Sequence, residues 1–252
     1  MTKIIINGCN GRMGQFITQM AAEDETLEVV AGVDARDDGH NSYPVFSSVS
    51  ECTLEADAVI DFSNPAAIDT LMDFCVNKKI PCVVCTTGLN DEQIGKVKKA
   101  SEKVAILRSS NMSLGINVLM KALAEAAPIF AEAGFDIEIV EKHHNQKLDA
   151  PSGTAVALAD VMNDALDEKY GYVYDRSERR EKRPKNEIGI SSVRGGTIVG
   201  DHDVIFAGTD EVVTFSHRAY SRAIFAKGAL SAAKFLSGMK PGMYDMSDVI
   251  GA

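Results

Sequence analysis

The sequence predicts an α/β protein in two parts: a doubly wound parallel sheet of the Rossmann type, then an α+β domain with a mixed or antiparallel sheet. Three observations carry this. Strand and helix patterns alternate from the first residues to about residue 113. A glycine-spaced turn, Gly8-Cys9-Asn10-Gly11-Arg12-Met13-Gly14, joins the first strand to the first helix. Beyond residue 113 the alternation gives way to one long helix and then to closely spaced strands.

Residues 3–7 hold Ile4, Ile5 and Ile6 in a row, the mark of a strand buried on both faces. Residues 12–22 put Met13, Phe16, Ile17 and Met20 on one helical face. Residues 27–33 form a second apolar run that ends in Asp34. Strand, turn, helix, strand forces a parallel pair with a right-handed crossover. Strands at 58–62, 81–85 and 104–107 extend the pattern. The helix at 63–77 starts with Ser63 or Asn64 as cap and Pro65 in its first turn, and a polar helix follows at 91–103. Ligands of such sheets sit where the strands end in loops.

After Ser113 come a helix at 114–133 and a half-buried strand in which Phe135, Ile137 and Ile139 alternate with Asp136 and Glu138. A helix follows at 152–168. The charged, irregular stretch 170–186 is expected to be a solvated loop for most of its charges. Strands at 188–194, 197–207 and 211–217 come next, with Gly195-Gly196 and Gly208-Thr209-Asp210 as hairpin turns. The apolar helix 221–236 is assigned back to the first domain. The expected domains are therefore 1–113 completed by 223–252, which binds a dinucleotide, and 114–222, which binds substrate and builds the oligomer.

Composition narrows the function classes. Of 252 residues 45% are hydrophobic, enough for a real core, and the formal net charge of −10 argues against nonspecific binding to nucleic acid or an anionic membrane. No run of 18 apolar residues occurs, so no membrane span is expected. Met1-Thr2-Lys3 leads directly into a strand, which leaves no room for a signal peptide. Cys9, Cys52, Cys75, Cys82 and Cys85 are odd in number and scattered, which points to a reducing cytoplasm. Cys82 and Cys85 have a CxxC spacing but lack the second pair a zinc site needs, so no metal is expected.

In the glycine turn, Gly8 lets the chain turn, Gly11 lets backbone approach a pyrophosphate, and Gly14 lets helix and strand pack closely. Backbone N–H groups at the helix start face the phosphates. Asp34, twenty residues past Gly14, is placed to accept from ribose hydroxyls. That acid suits NADH, whereas Arg12 and Arg36 could neutralise the 2′-phosphate of NADPH. The residues leave both cofactors open.

The densest run of proton donors is Glu141-Lys142-His143-His144-Asn145-Gln146-Lys147-Leu148-Asp149-Ala150-Pro151-Ser152-Gly153-Thr154-Ala155, between a strand and a helix. His143 and His144 end the strand, so their side chains point to opposite sides. Lys147 follows the bend. Ser152, Gly153 and Thr154 open a helix whose N–H groups and hydroxyls make a ready carboxylate site.

Both runs resemble the two signatures of the dihydrodipicolinate (4-hydroxy-tetrahydrodipicolinate) reductase family. The loops Thr86-Thr87-Gly88 and Ser110-Asn111-Met112-Ser113 also fit it, as does the end of the chain. The resemblance implies an NADH- or NADPH-dependent reductase on the route to diaminopimelate and lysine, acting on a small dicarboxylate. It implies His143 as acid/base group and Lys147 as proton donor, with His144, Ser152, Gly153 and Thr154 on the substrate carboxylates. Gly8, Cys9, Asn10, Gly11, Arg12, Met13, Asp34, Cys85, Thr86, Thr87, Ser109, Ser110, Asn111 and Met112 would line the cofactor. The family also implies a cytoplasmic homotetramer built through the second domain's sheet. Cys85 departs from the glycine common at that position, and its side chain could crowd the nicotinamide ribose. With cofactor and chemistry on different domains, closure is expected to bring hydride and acid together.

Two other readings share part of this pattern. Another two-domain dehydrogenase of a small amino or keto acid would share the first half but not the His-His run. A non-catalytic dinucleotide-sensing protein would need a partner surface or a DNA-binding element, and neither a basic stripe nor a helix-turn-helix pattern is evident.

Overall fold

A computed structural model describes residues 1–251. The chain divides into two compact units: residues 1–114 with the chain from Ala223 on, and Gly115–Arg222. The first unit contains β1 (Thr2–Asn7), α1 (Arg12–Ala22), β2 (Leu27–Val33), β3 (Val45–Phe46), β4 (Ala58–Asp61), α2 (Ile68–Lys78), β5 (Cys82–Val84), α3 (Asp91–Ser101) and β6 (Ala105–Leu107). After the second unit, the chain adds α6 (Ala223–Leu236), β12 (Gly242–Tyr244) and α7 (Met246–Gly251) to it. The second unit contains most of α4 (Leu114–Glu132), then β7 (Asp136–His143), α5 (Gly153–Ala165), β8 (Gly171–Val173), β9 (Glu187–Arg194), β10 (Gly200–Ala207) and β11 (Val212–Ala219).

The first unit is a seven-stranded sheet in the order β12-β6-β5-β4-β1-β2-β3, parallel throughout. Its apolar run is explained by burial on two sides. Ile4 and Ile6 pack with α1 and α6, while Ile5 packs with α2 and α3. Parallel strands bring all their carboxyl ends, and hence all the loops that follow them, to one edge. The short strands β3 and β12 were missed in the sequence, because two or three residues are too few to show a period. Asn64 caps the turn before α2 by accepting from the Ala66 N–H at 3.0 Å.

The second unit is a mixed five-stranded sheet in the order β11-β10-β7-β9-β8. Strand β9 is parallel to β7 and to β8; β10 is antiparallel to β7 and to β11. One face carries Ile137, Ile139, Ile188, Ile190, Val204 and Phe206 onto Leu123 of α4 and Leu158 and Met162 of α5. Gly208 closes the hairpin to β11, its N–H donating to Glu211 O at 2.8 Å. Gly195-Gly196 does not close a hairpin, contrary to expectation, because β9 and β10 lie on opposite sides of β7. The turn instead caps the end of β7: Gly195 N–H donates to His143 O at 2.9 Å, and Asn145 N–H to Gly196 O at 3.2 Å.

The stretch 170–186 opens with β8, and most of its charges are exposed as expected, but Arg176 and Arg183 return to the sheet. Arg176 pairs with Glu138 at 2.6 Å and with Glu187; Arg183 pairs with Asp136 at 2.8 Å and Glu138 at 2.9 Å. Glu138 lies across Gly189, where an added Cβ would fall 1.8 Å from its Oε2. A charge count of the stretch alone does not reveal partners that sit on neighbouring strands.

Helix α4 is long and apolar enough to cross a membrane by length and composition, with a mean hydropathy of 1.4 over its 18-residue window. Counting only unbroken apolar runs had excluded such a helix. Leu123 and Ala127 are fully buried in the core under the mixed sheet, while Val118 and Ile129 are exposed and 28% of that window is buried in all.

Helix α6 lies close against the loop after β6. A Cβ on Gly228 would sit 1.6 Å from the Met112 carbonyl oxygen, so helix or loop would have to move. Overpacking of this kind costs about 1–3 kcal/mol. Gly228→Ala should therefore lower Tm by roughly 3–10 °C in a thermal melt, and an unchanged Tm would contradict this packing.

Candidate active site

The expected site residues gather in two places, one in each unit. In the first unit they occupy the carboxyl edge of the parallel sheet. Gly8 follows β1 with φ of +86°, and a Cβ there would meet the Phe62 carbonyl oxygen at 2.5 Å. Only glycine takes that conformation without strain. A Cβ on Gly14 would meet Gly8 O at 2.3 Å and Cys9 O at 2.5 Å, so the turn and helix approach as closely as backbone allows. At Gly11, the N-cap of α1, the only near atom is Gly8 O at 3.2 Å. The turn is thus packed shut behind Gly8 and Gly14 and open at Gly11, a cradle suited to a pyrophosphate.

Asp34, just past β2, is held by two backbone N–H groups: Asn10 to Oδ2 at 2.9 Å and Ala35 to Oδ1 at 2.8 Å. The glycine turn and the acid are therefore tied together directly. The Asn10 side chain adds a bond to the Arg36 carbonyl and accepts from Asn41 at 2.7 Å. Cys9 is fully buried, and burial, with the nearby Asp34 charge, pushes its thiol up to about 11. Arg12 is exposed and Met13 packs on the core.

A cleft of about 270 Å3 lies beside Gly8 and Asp34. Its other walls include Ser47, Ser48, Ser63 and Asn64, none of which was among the predicted residues. Ser63 and Asn64 follow β4 and were detectable, since every strand of such a sheet ends at the ligand edge. Ser47 and Ser48 follow β3, which left no period to read. The predicted loops 85–87 and 109–112 follow β5 and β6 at the same edge. Cys85 packs against the core, its N–H on Asp61 O at 2.9 Å, and burial raises its thiol pKa well above the ordinary value. Thr86 is buried, and its hydroxyl accepts from the Ser63 N–H at 3.1 Å, which ties the β4 and β5 loops together. Thr87 is exposed; Ser109, Ser110 and Asn111 lie at the surface, while Met112 is buried.

In the second unit the site grows from the end of β7. Alternation sends Glu141 and His143 to the core side and Lys142 to the open face, where it pairs with Asp203 at 2.8 Å. His143 is 8% exposed and Glu141 is fully buried. Glu141 Oε2 lies 2.6 Å from His143 Nδ1 and accepts from Arg194 at 2.8 Å. Its Oε1 accepts from Arg194 at 2.7 Å and from the Ser152 N–H at 3.1 Å. Burial alone would raise the Glu141 pKa. The bonds from Arg194 and His143 outweigh it and hold the carboxyl down to about 2.

His144 begins a turn in which the Lys147 N–H returns to its carbonyl at 3.2 Å. Lys147 Nζ lies 2.9 Å from Asp149, whose pKa that contact lowers. Ser152 then caps α5: its Oγ accepts from Ala155 N–H at 3.2 Å and lies 3.0 Å from His202 Nε2. Gly153 and Thr154 form the first turn.

Arg194 and His202 went unrecognised in the sequence. Arg194 sits beside His143 in the β7–β9 register, and His202 sits beside Glu141 in the β7–β10 register. Only strand pairing brings them there. The His202 ring meets that of His143 edge-on at 5.2 Å. Burial, and then the His143 charge, push the His202 pKa down to about 4. Between about pH 6.5 and 4 the unfolded chain therefore takes up a proton that the folded chain refuses, and stability falls as pH falls. Over that window the loss approaches ~3 kcal/mol. Urea denaturation of His202→Gln should show a shallower pH dependence in this range than the parent, and an identical dependence would contradict the account.

Comparison with known proteins supplies the family. Residues 2–112 match the N-terminal model of dihydrodipicolinate reductase, and residues 115–250 match its C-terminal model. A 4-hydroxy-tetrahydrodipicolinate reductase of Caldanaerobacter subterraneus subsp. tengcongensis is 54% identical over 250 residues, 99% of this chain and 98% of the relative. One of Clostridium tetani is 46% identical over 252 residues, 100% of this chain and 98% of its own. A dipicolinate-bound dihydrodipicolinate reductase from Paenisporosarcina sp. TG-14 is 27% identical, with a TM-score of 0.82 over 98% of this chain and 99% of that one. With both halves of the chain matched and relatives similar from end to end, the chain belongs to the dihydrodipicolinate reductase family.

Proposed function

We propose that the chain reduces 4-hydroxy-2,3,4,5-tetrahydrodipicolinate to 2,3,4,5-tetrahydrodipicolinate with loss of water, on the diaminopimelate and lysine route. The observation that carries this is the joint placement of His143, the Lys147 turn and the Ser152-capped helix start around one strand end. A ring with two carboxylates needs local cations and N–H donors in a chain of net charge −10. The bound dicarboxylate named for the Paenisporosarcina relative supports the same substrate class.

The cofactor is NADH or NADPH, and the first unit fits it. Gly11 opens the cradle, Asp34 is oriented for a ribose hydroxyl, and the exposed Arg12 and Arg36 suit an added phosphate. Bound there, the dihydronicotinamide supplies the hydride. Gly8, Cys9, Asn10, Gly11, Arg12 and Met13 line it, with Cys85 to Thr87 and Ser109 to Met112 from the neighbouring loops.

The residues of the second unit handle protons and charge. Loss of the 4-hydroxyl as water leaves a conjugated imine, and hydride addition at C4 puts negative charge on the ring nitrogen. Lys147 releases Asp149 and faces that nitrogen to stabilise the charge and supply the proton, which ends on C5 as the enamine returns to the product's imine; His143 acts as the acid/base group. His144, Ser152, Gly153 and Thr154 hold the two carboxylates. One water leaves, and one hydride and one proton are taken up. The enzyme works as a cytoplasmic homotetramer, a reading supported by the exposed Val193 and Val212 at the mixed sheet and by five free thiols.

With freshly made synthase product, NADH or NADPH oxidation should be rapid. His143→Ala with Lys147→Ala should lower kcat by about 10²-fold or more, and His144→Ala should raise the substrate KM. Near-normal turnover in the double variant would overturn these roles. Dinucleotide binding without turnover by the parent would favour a sensor instead.

A further inference from the structure

The proposed roles use His143, Lys147 and the helix start but leave Glu141 and Arg194 without work. Glu141 is fully buried, and each of its oxygens has two partners. One oxygen faces the imidazole, and the other faces the N–H of Ser152, eleven residues on. Arg194 spans both oxygens and adds a bond to the Asp149 carbonyl at 2.7 Å, within the stretch that carries Lys147. A carboxylate flanked by a guanidinium accepts and does not donate.

We infer that Glu141, charged and locked by Arg194, is the positioning residue that fixes His143 in its Nδ1–H form and holds it in register with the carboxylate-binding helix start. The other ring nitrogen, Nε2, is then the one presented for chemistry. Gly200 on β10 keeps it clear, since a Cβ there would come within 3.0 Å of Nε2. His202, held neutral by burial, packs edge-on against the same ring without adding a charge. Arg194 acts one step further out, since its carbonyl bond also sets the path of the chain from Lys147 to Ser152.

Glu141→Gln separates charge from shape. Arg194 and the Ser152 N–H keep the amide oxygen, which leaves the amide N–H2 facing Nδ1. A donor there forces Nδ1 to accept, and the ring takes the Nε2–H form, the wrong tautomer for a group that works through Nε2. This inference rests on the proposed role of His143, and the test separates the two. Ring 15N shifts of His143, assigned with His143→Gln, should show Nδ1 protonated in the parent and Nε2–H in Glu141→Gln. In steady state Glu141→Gln should lose about 10²-fold in kcat and show a raised substrate KM, with the cofactor KM unchanged. A neutral His143 ring protonated on Nε2 alone in the parent overturns the inference with no variant needed. So does a Glu141→Gln enzyme with kcat near the parent's. If the parent fails to turn over the synthase product, the proposed function falls, while the ring shifts still decide what Glu141 does.

Discussion

A carboxylate buried away from water is costly unless it is charged against a partner and every lone pair is used. Glu141 meets that condition through Arg194, His143 and the Ser152 N–H, and the second unit's site follows from it. Because the same side chain holds a strand end and a helix start, neither can drift without breaking a buried ion pair. The cis peptide at Ala150–Pro151 and the turn at His144 lie between those two anchors. Lys147 is carried on the tethered span and pairs with exposed Asp149, a partner that a ligand group can replace. Rigid holders and one movable cation suit a reaction that must grip two carboxylates and still release its product.

The first unit solves a different problem with backbone alone. Its turn excludes side chains at Gly8 and Gly14 and leaves Gly11 open. Asp34 is aimed by two N–H groups of the same edge, so the acid and the glycine turn proposed for the cofactor are set by one local network. Parallel pairing delivers the loops after β4, β5 and β6 to that edge without further specification. An acidic chain can thus hold anionic ligands, since the donors are dipoles and a few placed cations rather than net charge.

Much of this was legible in the sequence, and the exceptions share a cause. Ile4 to Ile6 announced a strand buried on both faces, and the glycine spacing with Asp34 marked the sheet edge proposed for the cofactor. The His143 to Thr154 run marked the strand end and helix start that the proposed chemistry uses. What stayed hidden depended on lateral pairing. Gly195-Gly196 looks like a hairpin turn in any one-dimensional reading, yet β7 lies between its strands. That misreading also concealed Arg194, whose place beside His143 exists only in the parallel β7–β9 register. His202 reaches Ser152 for the same reason. Arg176 and Arg183 looked like solvated charge because Glu138 and Glu187 lie on other strands. Strands as short as β3 left no pattern at all, and Ser47 and Ser48 were lost with it.

The central claim is that Glu141 and Arg194 act as one unit, and a double-mutant cycle tests it most directly. Unfolding free energies would be measured at neutral pH for the parent, Glu141→Gln, Arg194→Met and the pair. Each single change leaves a buried polar group without its partner, whereas the double change removes both charges. The account predicts a coupling energy above ~1.5 kcal/mol, with the double variant far more stable than the summed losses imply. Additive losses, with coupling near zero, would contradict it.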